Sequence, residues 1–501
     1  MSSLIIAFTW REGTAVIVNT DRGAVRGERV GNGPAVFRGI PYAAPPEGPL
    51  RFRAPRPAAR WDGVRDALAF SPVAPQPTYP GWRVPRAWSP GDGSDYLSVN
   101  VWTPEPPVAA RAGLPVMVWI HGGAYRRGSS RVPLYDGTRL AREGVVVVSL
   151  NYRLGYEGFG WVDDAPANRG ILDQIAALRW VQDNIAGFGG NPRDVTVFAE
   201  SAGAGCLATL LVAPPARDLF RRAVVQSMPE FYPGEEQARR IAALTTAELG
   251  VPPTADALAA VPPERFHRAE SAPVVSMLTD PGSWETPTLV PYGPVRDGVL
   301  LDAVPWRALA TGAARDVEVI FGFNRDEFTL FATDTLLGAD PAQTAAFARL
   351  PSGAPAAYRA AEPKLADAEV NLRIMSDLVF RAPAQWSAEA HATTGGRTFL
   401  YELTWDRTPL GAGHAVDLPL VFGNTDDPTA RILLGDTPDP GFGPLSARMR
   451  TAWTTFATTG DPGWPPYGPD TRLTRVWDTP PSVTPDPEAA ARIIWEGHPY
   501  R

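Results

Sequence analysis

Short apolar runs of two kinds recur along the chain and predict the strands of a sheet. In the first hundred residues they are brief and separated by turn signals, as at residues 15–18 and 24–27, which is typical of antiparallel strands. The runs at 116–120, 145–149 and 195–198 are nearly continuous, as expected for strands covered by helices on both faces. The pattern therefore predicts an antiparallel N-terminal extension followed by a mostly parallel sheet.

Apolar residues at helical spacing predict helices between these strands. Between residues 171 and 185 they recur at steps of three and four, and a further helix over 202–211 follows the strand at 195–198. Runs at 317–321 and 399–401 predict later strands of the same sheet. Strands that alternate with helices form a parallel sheet flanked by helices, so the predicted fold class is α/β.

A segment of short helices rich in Ala and Pro interrupts this alternation at residues 235–291. It includes a helix over 238–249 that Gly250 would cap. Open α/β sheets bind ligands at the carboxyl ends of their strands, and we expect this helical insertion to border the site there, with Met277 and Trp284 in its wall. The chain has no internal repeats, and we expect residues 1–501 to form a single domain.

The composition is that of a soluble globular protein and disfavours polyanionic partners. The 501 residues are 44% hydrophobic and 20% charged, with a formal net charge of -7. Because there is no long run of either sign, neither nucleic acid nor an anionic membrane surface is an expected partner. No stretch reaches the length of a membrane span, and the oligomeric state is left open.

Cysteine and histidine usage limits the chemistry. Cys206 is the only cysteine, so neither an intrachain disulfide nor a cysteine metal cluster can form. The five histidines show no His-Glu-x-x-His spacing, and we expect no metal and no other cofactor. The apolar start, residues 1–8, is too short for a signal sequence and lacks a basic region, so the expected location is cytoplasmic.

Ser201 is the candidate nucleophile because it stands at the turn between a predicted strand and a predicted helix. Its surroundings follow the Gly-x-Ser-x-Gly pattern of serine hydrolases, except that Ala199 replaces the first glycine. A serine on such a sharp turn is exposed at the top of the sheet. It is nevertheless a weak nucleophile unless a base takes its proton and a third group orients that base.

A glycine-bearing turn at residues 119–124 directly follows a predicted strand and is the candidate oxyanion hole. Glycine lets backbone N–H groups approach a substrate oxygen closely. We therefore expect Gly122, Gly123 and Ala124 to form the hole together with the N–H of Ala202. A simple strand-end turn is the alternative. The presence of Ser201 on its own predicted turn favours the oxyanion hole.

Together these motifs resemble those of the type B carboxylesterases, a family that includes bacterial esterases, animal carboxylesterases and cholinesterases. The matching stretches run in family order along most of the chain and include residues 37–43, 50–52, 97–104, 120–128, 151–155, 172–192 and the serine turn. The resemblance is closest to bacterial para-nitrobenzyl-esterase-like members. It implies an α/β-hydrolase fold and an acyl-enzyme on Ser201.

The resemblance also supplies the other two members of a catalytic triad. Glu327, in the segment 322–327, matches the orienting acid of the family, and Asp326 beside it is expected to be structural. His414, in the matching segment 413–423, corresponds to the base. The order serine, acid, histidine is also that of α/β-hydrolases.

Two further residues match positions that hold the triad through hydrogen bonds in this family, Glu200 and Ser227. For both of them, a buried polar group satisfied by the backbone is the alternative. After Ser227, Met228 and Pro229 replace the small residues usual in the family, so the pocket is expected to have a different shape there.

The predicted activity is hydrolysis of a small, neutral carboxylic ester. We expect kcat/KM to rise with pH through a neutral-range pKa as His414 loses its proton. An acyl-enzyme can also be resolved by an amine or an internal hydroxyl, so a lactonase, a carbamate or amide hydrolase and an acyl transferase stay open. A noncatalytic binding module on the same fold is the other alternative, but such proteins usually lack part of the triad.

Overall fold

The computed structural model describes residues 15–29, 31, 33–77, 88–104, 113–288 and 290–501. The start of the chain, on which the expected lack of a signal sequence rests, lies outside these ranges. None of the helices within them combines the length and the hydropathy that a membrane span requires.

In this described part of the chain, thirteen strands form one sheet. The strands are β1 (Ala15–Asn19), β2 (Ala24–Arg29), β3 (Ala35–Pro41), β4 (Val64–Asp66), β5 (Ser98–Thr103), β6 (Leu114–Ile120), β7 (Val146–Leu150), β8 (Gly190–Glu200), β9 (Arg222–Gln226), β10 (Glu318–Asn324), β11 (Thr398–Leu403), β12 (Leu473–Trp477) and β13 (Ser482–Pro485). Their order across the sheet is β1-β2-β3-β5-β7-β6-β8-β9-β10-β11-β12-β13, and β4 pairs with β2.

The sheet is parallel in its centre and antiparallel at its ends. From β7 to β12 every neighbouring pair is parallel. The pairs β1 with β2, β2 with β3, β3 with β5, and β5 with β7 are antiparallel, as is the last pair, β12 with β13. The predicted mostly parallel sheet with an antiparallel N-terminal extension is confirmed.

Helices cover both faces of the sheet. They are α1 (Thr138–Arg142), α2 (Gly155–Phe159), α3 (Arg169–Asn184), α4 (Ala202–Val212), α5 (Glu235–Leu249), α6 (Ala255–Ala259), α7 (Pro263–Ala269), α8 (Ser271–Thr279), α9 (Pro305–Leu309), α10 (Asp334–Leu337), α11 (Pro341–Phe347), α12 (Ala354–Ala361), α13 (Asp367–Ser376), α14 (Ala382–Thr393), α15 (Asp417–Phe422), α16 (Pro428–Leu434), α17 (Phe442–Thr459) and α18 (Ala489–Ile494). The helices predicted at 171–185 and 202–211 are α3 and α4.

Neighbouring residues of β6 point into two different cores, one on each face of the sheet. Val118 belongs to the core that contains Leu207 of α4, whereas Trp119 belongs to the core that contains Trp453 of α17. Side chains alternate between the faces of a strand, so a strand covered on both faces must be apolar at every position. This explains the nearly continuous apolar runs of the central strands.

The segment 235–291 contains α5 to α8, but two of its residues do not lie where the sequence suggested. Gly250 ends α5 with a φ of 70°, as a helix cap of this kind requires. Met277 and Trp284, expected in the pocket wall, are instead buried in the core. The reason is that α8 packs back against α5, and the Trp284 ring lies under the guanidinium group of Arg240.

A second helical segment, not identified from the sequence, lies between β10 and β11. It contains α10 to α14, and a π-helical turn at Asp377–Arg381 joins α13 to α14. Met375, Leu378 and Phe380, at the end of α13 and in this turn, reach the cavity beside Ser201.

Candidate active site

Ser201 lies between β8 and α4 in a backbone conformation that few non-glycine residues adopt. Its φ is 57° and its ψ is -130°, and its N–H donates to the carbonyl oxygen of Gln226 at 2.9 Å. Two residues further on, a Cβ atom on Gly203 would lie 2.3 Å from the carbonyl oxygen of Ile120, so only glycine fits. A strained turn of this kind presents the serine hydroxyl at the top of the sheet.

Glu327 and His414 form a buried pair on two neighbouring loops. Nδ1 of His414 lies 2.6 Å from Oε2 of Glu327, whose side chain is fully buried. The other carboxylate oxygen, Oε1, accepts a hydrogen bond from the N–H of Asn324 at 2.8 Å. A carboxylate fixed in this way makes Nδ1 the donor and leaves Nε2 to face the site.

Further hydrogen bonds tie the loop of the acid to the loop of the histidine. The side-chain amide of Asn324 donates to the carbonyl oxygen of Gly413 at 2.8 Å. Oδ2 of Asp326 accepts from the N–H of Ala412 at 3.1 Å. Asp326 therefore holds the loop that carries His414 without contacting the imidazole, as a structural role implies.

Glu200 brings a second carboxylate to the opposite side of the imidazole. Its Oε1 lies 3.0 Å from Nε2 of His414, so its negative charge favours a proton on that nitrogen. Burial alone would lower the pKa of His414. The carboxylates of Glu200 and Glu327 outweigh burial and raise that pKa to about 10, which is above the neutral range expected from the sequence.

Ser201 and His414 line one cavity together. The hydrogen bonds of the described residues include none between their side chains, because Nε2 of His414 is turned toward Glu200. Contacts between a nucleophile and its base often shorten only when substrate binds. The structure thus brings the three predicted triad members to one place, with the imidazole still engaged by the acid that precedes the serine.

The turn that follows β6 brings glycine backbone close to Ser201. A Cβ atom on Gly122 would lie 2.9 Å from Cβ of Ser201, and one on Gly123 would lie 2.1 Å from the carbonyl oxygen of Arg127. Both distances are shorter than real contacts of a Cβ atom, so the turn requires glycine at both positions.

Three backbone N–H groups near Ser201 are without acceptors in the described part of the chain. Gly123 and Ala124 have φ values of 117° and 56°, and their N–H groups make none of the recorded hydrogen bonds. Ala202 is the first residue of α4, where an N–H has no acceptor within the helix. Preorganised donors of this kind can stabilise an oxyanion.

Ser227 does not make the hydrogen bond expected of it. Its Oγ is buried and has no partner among the described residues. Its N–H donates to the carbonyl oxygen of Gly322 at 2.8 Å, and its φ is 51°. The residue thus fixes the turn after β9 through its backbone, while its side chain does not bind the triad.

The other four histidines have structural surroundings. His121 stacks on Tyr152 with ring centroids 4.6 Å apart, and burial lowers its pKa to about 4. His391 contacts Thr398 and the carbonyl oxygen of Ala314. Neither of these, nor His267 or His498, lines a cavity that Ser201 also lines.

Two cavities meet at Ser201. The histidine-side cavity is lined by His414, Glu200 and the glycine turn. The apolar cavity extends past Ala202, and its wall contains the side chains of Phe231, Phe328, Phe331, Phe347, Met375, Leu378 and Phe380. Six of these seven side chains come from the second helical segment and the residues before it.

Two buried acids near the site escaped the sequence analysis. Glu230 is the only charged side chain among the described residues that line the apolar cavity. It could have been noticed as a single carboxylate in the otherwise apolar stretch 228–232. Asp417 accepts hydrogen bonds from Gln226 at 2.6 Å and Tyr401 at 2.9 Å, and burial, with the charge of Glu200, raises its pKa to about 6.

The chain is similar over nearly its whole length to proteins of known activity. The model of the carboxylesterase family matches residues 14–352 and 356–488. Para-nitrobenzyl esterase of Bacillus subtilis is 37% identical over 496 residues, which cover 96% of this chain and 98% of that one. Fumonisin B1 esterase of Sphingopyxis macrogoltabida is 35% identical over 473 residues, covering 89% and 82%.

Solved structures give the same result. A carboxylesterase of Geobacillus stearothermophilus matches with a TM-score of 0.83 and 35% identity, covering 96% of this chain and all of that one (100%). A structure of PNB esterase matches with a TM-score of 0.80 and 36% identity, covering 95% and 99%. Both matches agree with the α/β-hydrolase fold expected from the sequence.

Proposed function

The chain belongs to the carboxylesterase family and is a carboxylic-ester hydrolase; we propose that it acts through an acyl-enzyme on Ser201. In this proposal His414 is the general base and acid, Glu327 orients it, and residues 1–501 form one catalytic domain. The observation that carries the proposal is the contact of 2.6 Å between Nδ1 of His414 and Glu327, in a cavity that Ser201 also lines.

The first step forms the acyl-enzyme. Oγ of Ser201 attacks the ester carbonyl carbon while its proton passes to Nε2 of His414. The carbonyl oxygen becomes an oxyanion that the N–H groups of Gly123, Ala124 and Ala202 stabilise, with Gly122 allowing the close approach. Loss of one such donor typically costs about a hundredfold to a thousandfold in kcat.

The tetrahedral intermediate then collapses, and the C–O bond to the alcohol breaks. The imidazolium of His414 gives its proton to the leaving oxygen, so the alcohol departs on the side of the histidine-side cavity. The acyl group stays on Ser201 and occupies the apolar cavity. Water then attacks the acyl carbon while His414 accepts its proton; the C–O bond to Oγ of Ser201 breaks, His414 returns the proton to Oγ, and the carboxylic acid leaves.

Glu200 acts on this cycle through charge. The imidazolium that forms in the transition state lies between the carboxylates of Glu327 and Glu200, which are 2.6 and 3.0 Å from its two nitrogens. Both contacts favour the protonated form. The second carboxylate therefore stabilises the imidazolium and makes the resting histidine harder to deprotonate.

The lining of the apolar cavity favours neutral acyl groups. Apolar side chains, several of them phenylalanines, make up most of its wall, and burial of a charge there would be costly. Names of relatives do not decide the substrate, because proteins with 35 to 37% identity include a para-nitrobenzyl esterase, a fumonisin B1 esterase and a phenmedipham hydrolase. We propose a small, neutral carboxylic ester as the substrate class.

Hydrolysis of p-nitrophenyl butyrate tests this proposal. The wild-type protein should release p-nitrophenolate, and Ser201→Ala should reduce the rate to background with an unchanged far-UV circular dichroism spectrum. Ser387→Ala, which removes another buried serine hydroxyl on α14, serves as the matched control and should retain activity. Substantial turnover by Ser201→Ala would overturn the proposed nucleophile.

A further inference from the structure

Glu230 is a buried acidic residue among the apolar side chains of the apolar cavity. Only 7% of its surface is exposed, and the residue lines the apolar cavity, which Ser201 also lines. Its chain neighbours Pro229 and Phe231 line the same cavity. Burial of a carboxyl group among apolar side chains is unfavourable unless it gains a partner.

The carboxyl group of Glu230 has no partner from another residue in the described part of the chain. It forms none of the recorded ion pairs, and its own backbone N–H is the only hydrogen-bond donor that acts on it. Burial raises its pKa to about 8. At neutral pH the group is therefore mostly an uncharged carboxylic acid, which can both donate and accept a hydrogen bond.

A second polar group near Glu230 also lacks a partner. The hydroxyl of Tyr125 is buried without a hydrogen bond to any described residue, although Tyr125 lines the apolar cavity. The charge of Glu230 contributes to raising the pKa of this tyrosine, after burial and other neighbours, so the two groups interact electrostatically. Unpaired polar groups in an apolar wall are the usual means by which a pocket selects a polar substituent.

We propose that Glu230 is a specificity-determining residue, and that its carboxyl group hydrogen-bonds a hydroxyl group on the acyl chain of the substrate. This inference rests on the proposed ester hydrolysis at Ser201 and assigns it a substrate class, esters of hydroxy acids. A hydroxyl group matches an uncharged carboxyl because each can donate and accept.

Charged substituents fit the site less well. An ammonium group would have to leave water for a cavity lined by phenylalanines, and Glu230 would have to ionise to pair with it. A substrate carboxylate would meet no described cation among the residues of this wall. Burial of a neutral hydroxyl group costs less free energy than burial of an ammonium or a carboxylate group.

The test compares p-nitrophenyl esters of straight-chain ω-hydroxy acids, from hydroxyhexanoate to hydroxydecanoate, with fatty-acid esters of equal heavy-atom number. The measured quantity is the ratio of kcat/KM between each matched pair. Glu230→Leu should lower the best ratio at least about tenfold, because a buried hydrogen bond is lost and the substrate hydroxyl is left unpaired. Glu230→Gln should keep the wild-type ratio, since an amide also donates and accepts.

Thr288→Val is the matched control, because Thr288 is another polar residue that lines the same cavity. Its hydroxyl already accepts from the N–H of Val290, and its loss should leave the ratio unchanged. The thermal midpoint of Glu230→Leu should equal or exceed that of the wild type, since the substitution removes a buried unpaired carboxyl group.

Equal ratios in the wild type and Glu230→Leu would overturn the inference while leaving ester hydrolysis intact. It would also be overturned if matched ω-amino esters were preferred and the preference disappeared in Glu230→Gln, because Glu230 would then act as an anion. A wild-type protein that hydrolysed none of these esters would instead overturn the proposed function, and this inference with it.

Discussion

Nδ1 of His414 and Oε2 of Glu327 lie 2.6 Å apart, and both side chains are buried. The acid is held by the N–H of Asn324, so the imidazole cannot turn without breaking a buried, charge-assisted hydrogen bond. This contact fixes Nδ1 as the nitrogen that keeps its proton when the imidazole is neutral. It also identifies Glu327, and not its chain neighbour Asp326, as the acid of the proposed triad.

Glu327→Gln should lower kcat by about four powers of ten, because an amide can stabilise the wrong tautomer and cannot neutralise the imidazolium. The control is Asp326→Asn, which changes the neighbouring acid that binds the loop backbone at Ala412. It should lower the thermal midpoint while kcat stays within tenfold of wild type. The assignment of the acid is wrong if Glu327→Gln is the milder of the two variants.

The pH profile reports the two carboxylates around His414. Activity needs a neutral imidazole, so kcat/KM should fall as pH decreases through an apparent pKa above about 6.5, the ordinary value for histidine. Glu200→Gln removes one negative neighbour and should move this limb to lower pH. Glu157→Gln, whose carboxylate pairs with Arg51 instead, should leave the profile in place.

The raised pKa of His414 also affects the stability of the fold, and this effect favours low pH, whereas activity favours high pH. Because the folded protein binds the His414 proton more tightly than the unfolded chain, this contribution is fully present below about 6.5. It is lost as pH rises through the folded pKa of about 10.

A titration of Glu200→Gln in which the activity limb moved to higher pH would contradict the electrostatic role given to Glu200.

Gly123→Ala should reduce kcat by about a hundredfold or more with a smaller change in KM, because the oxyanion donors would be displaced. The added methyl group would meet the carbonyl oxygen of Arg127 at 2.1 Å. Gly144→Ala is the control, since Gly144 also has a positive φ, 96°, but an added Cβ meets nothing within 4 Å. It should cost stability alone, and a similar loss of kcat in both variants would argue against the oxyanion hole.

Chain-length dependence tests the apolar cavity. Each methylene group buried should add about 0.8 kcal/mol, so kcat/KM for p-nitrophenyl esters should rise from acetate towards butyrate or beyond and then fall when the cavity is full. Phe347→Ala should move the optimum to longer acyl chains, because Phe347 lines the wall. Leu350→Ala, a nearby buried residue outside that wall, should not move it. A flat response in the wild type would contradict the role of the cavity.

Much of the fold follows from local sequence pattern. Central strands such as β6 and β7 contact helices on both faces and are therefore apolar at nearly every position, which made them visible. Ser201 and Gly203 were also predictable, because a turn between β8 and α4 with a positive φ at the serine tolerates few alternatives. Glu327 and His414 required the family resemblance, since nothing local distinguishes them from other loop residues.

The remainder depends on tertiary contacts that a local pattern does not encode. Met277 and Trp284 face α5 and its neighbours instead of the site. The pKa of His414 depends on the positions of Glu200, at the end of β8, and Glu327, after the end of β10. The side chain of Ser227 and the exposure of Glu230 to the cavity are likewise set by how whole elements pack.

Intact-mass spectrometry of the enzyme, quenched during turnover of a p-nitrophenyl ester, tests the acyl-enzyme most directly. We expect a species heavier by one acyl group, with the group mapped to the peptide that contains Ser201, and no such species in Ser201→Ala. An acyl group on another residue, or undiminished turnover by Ser201→Ala, would contradict it.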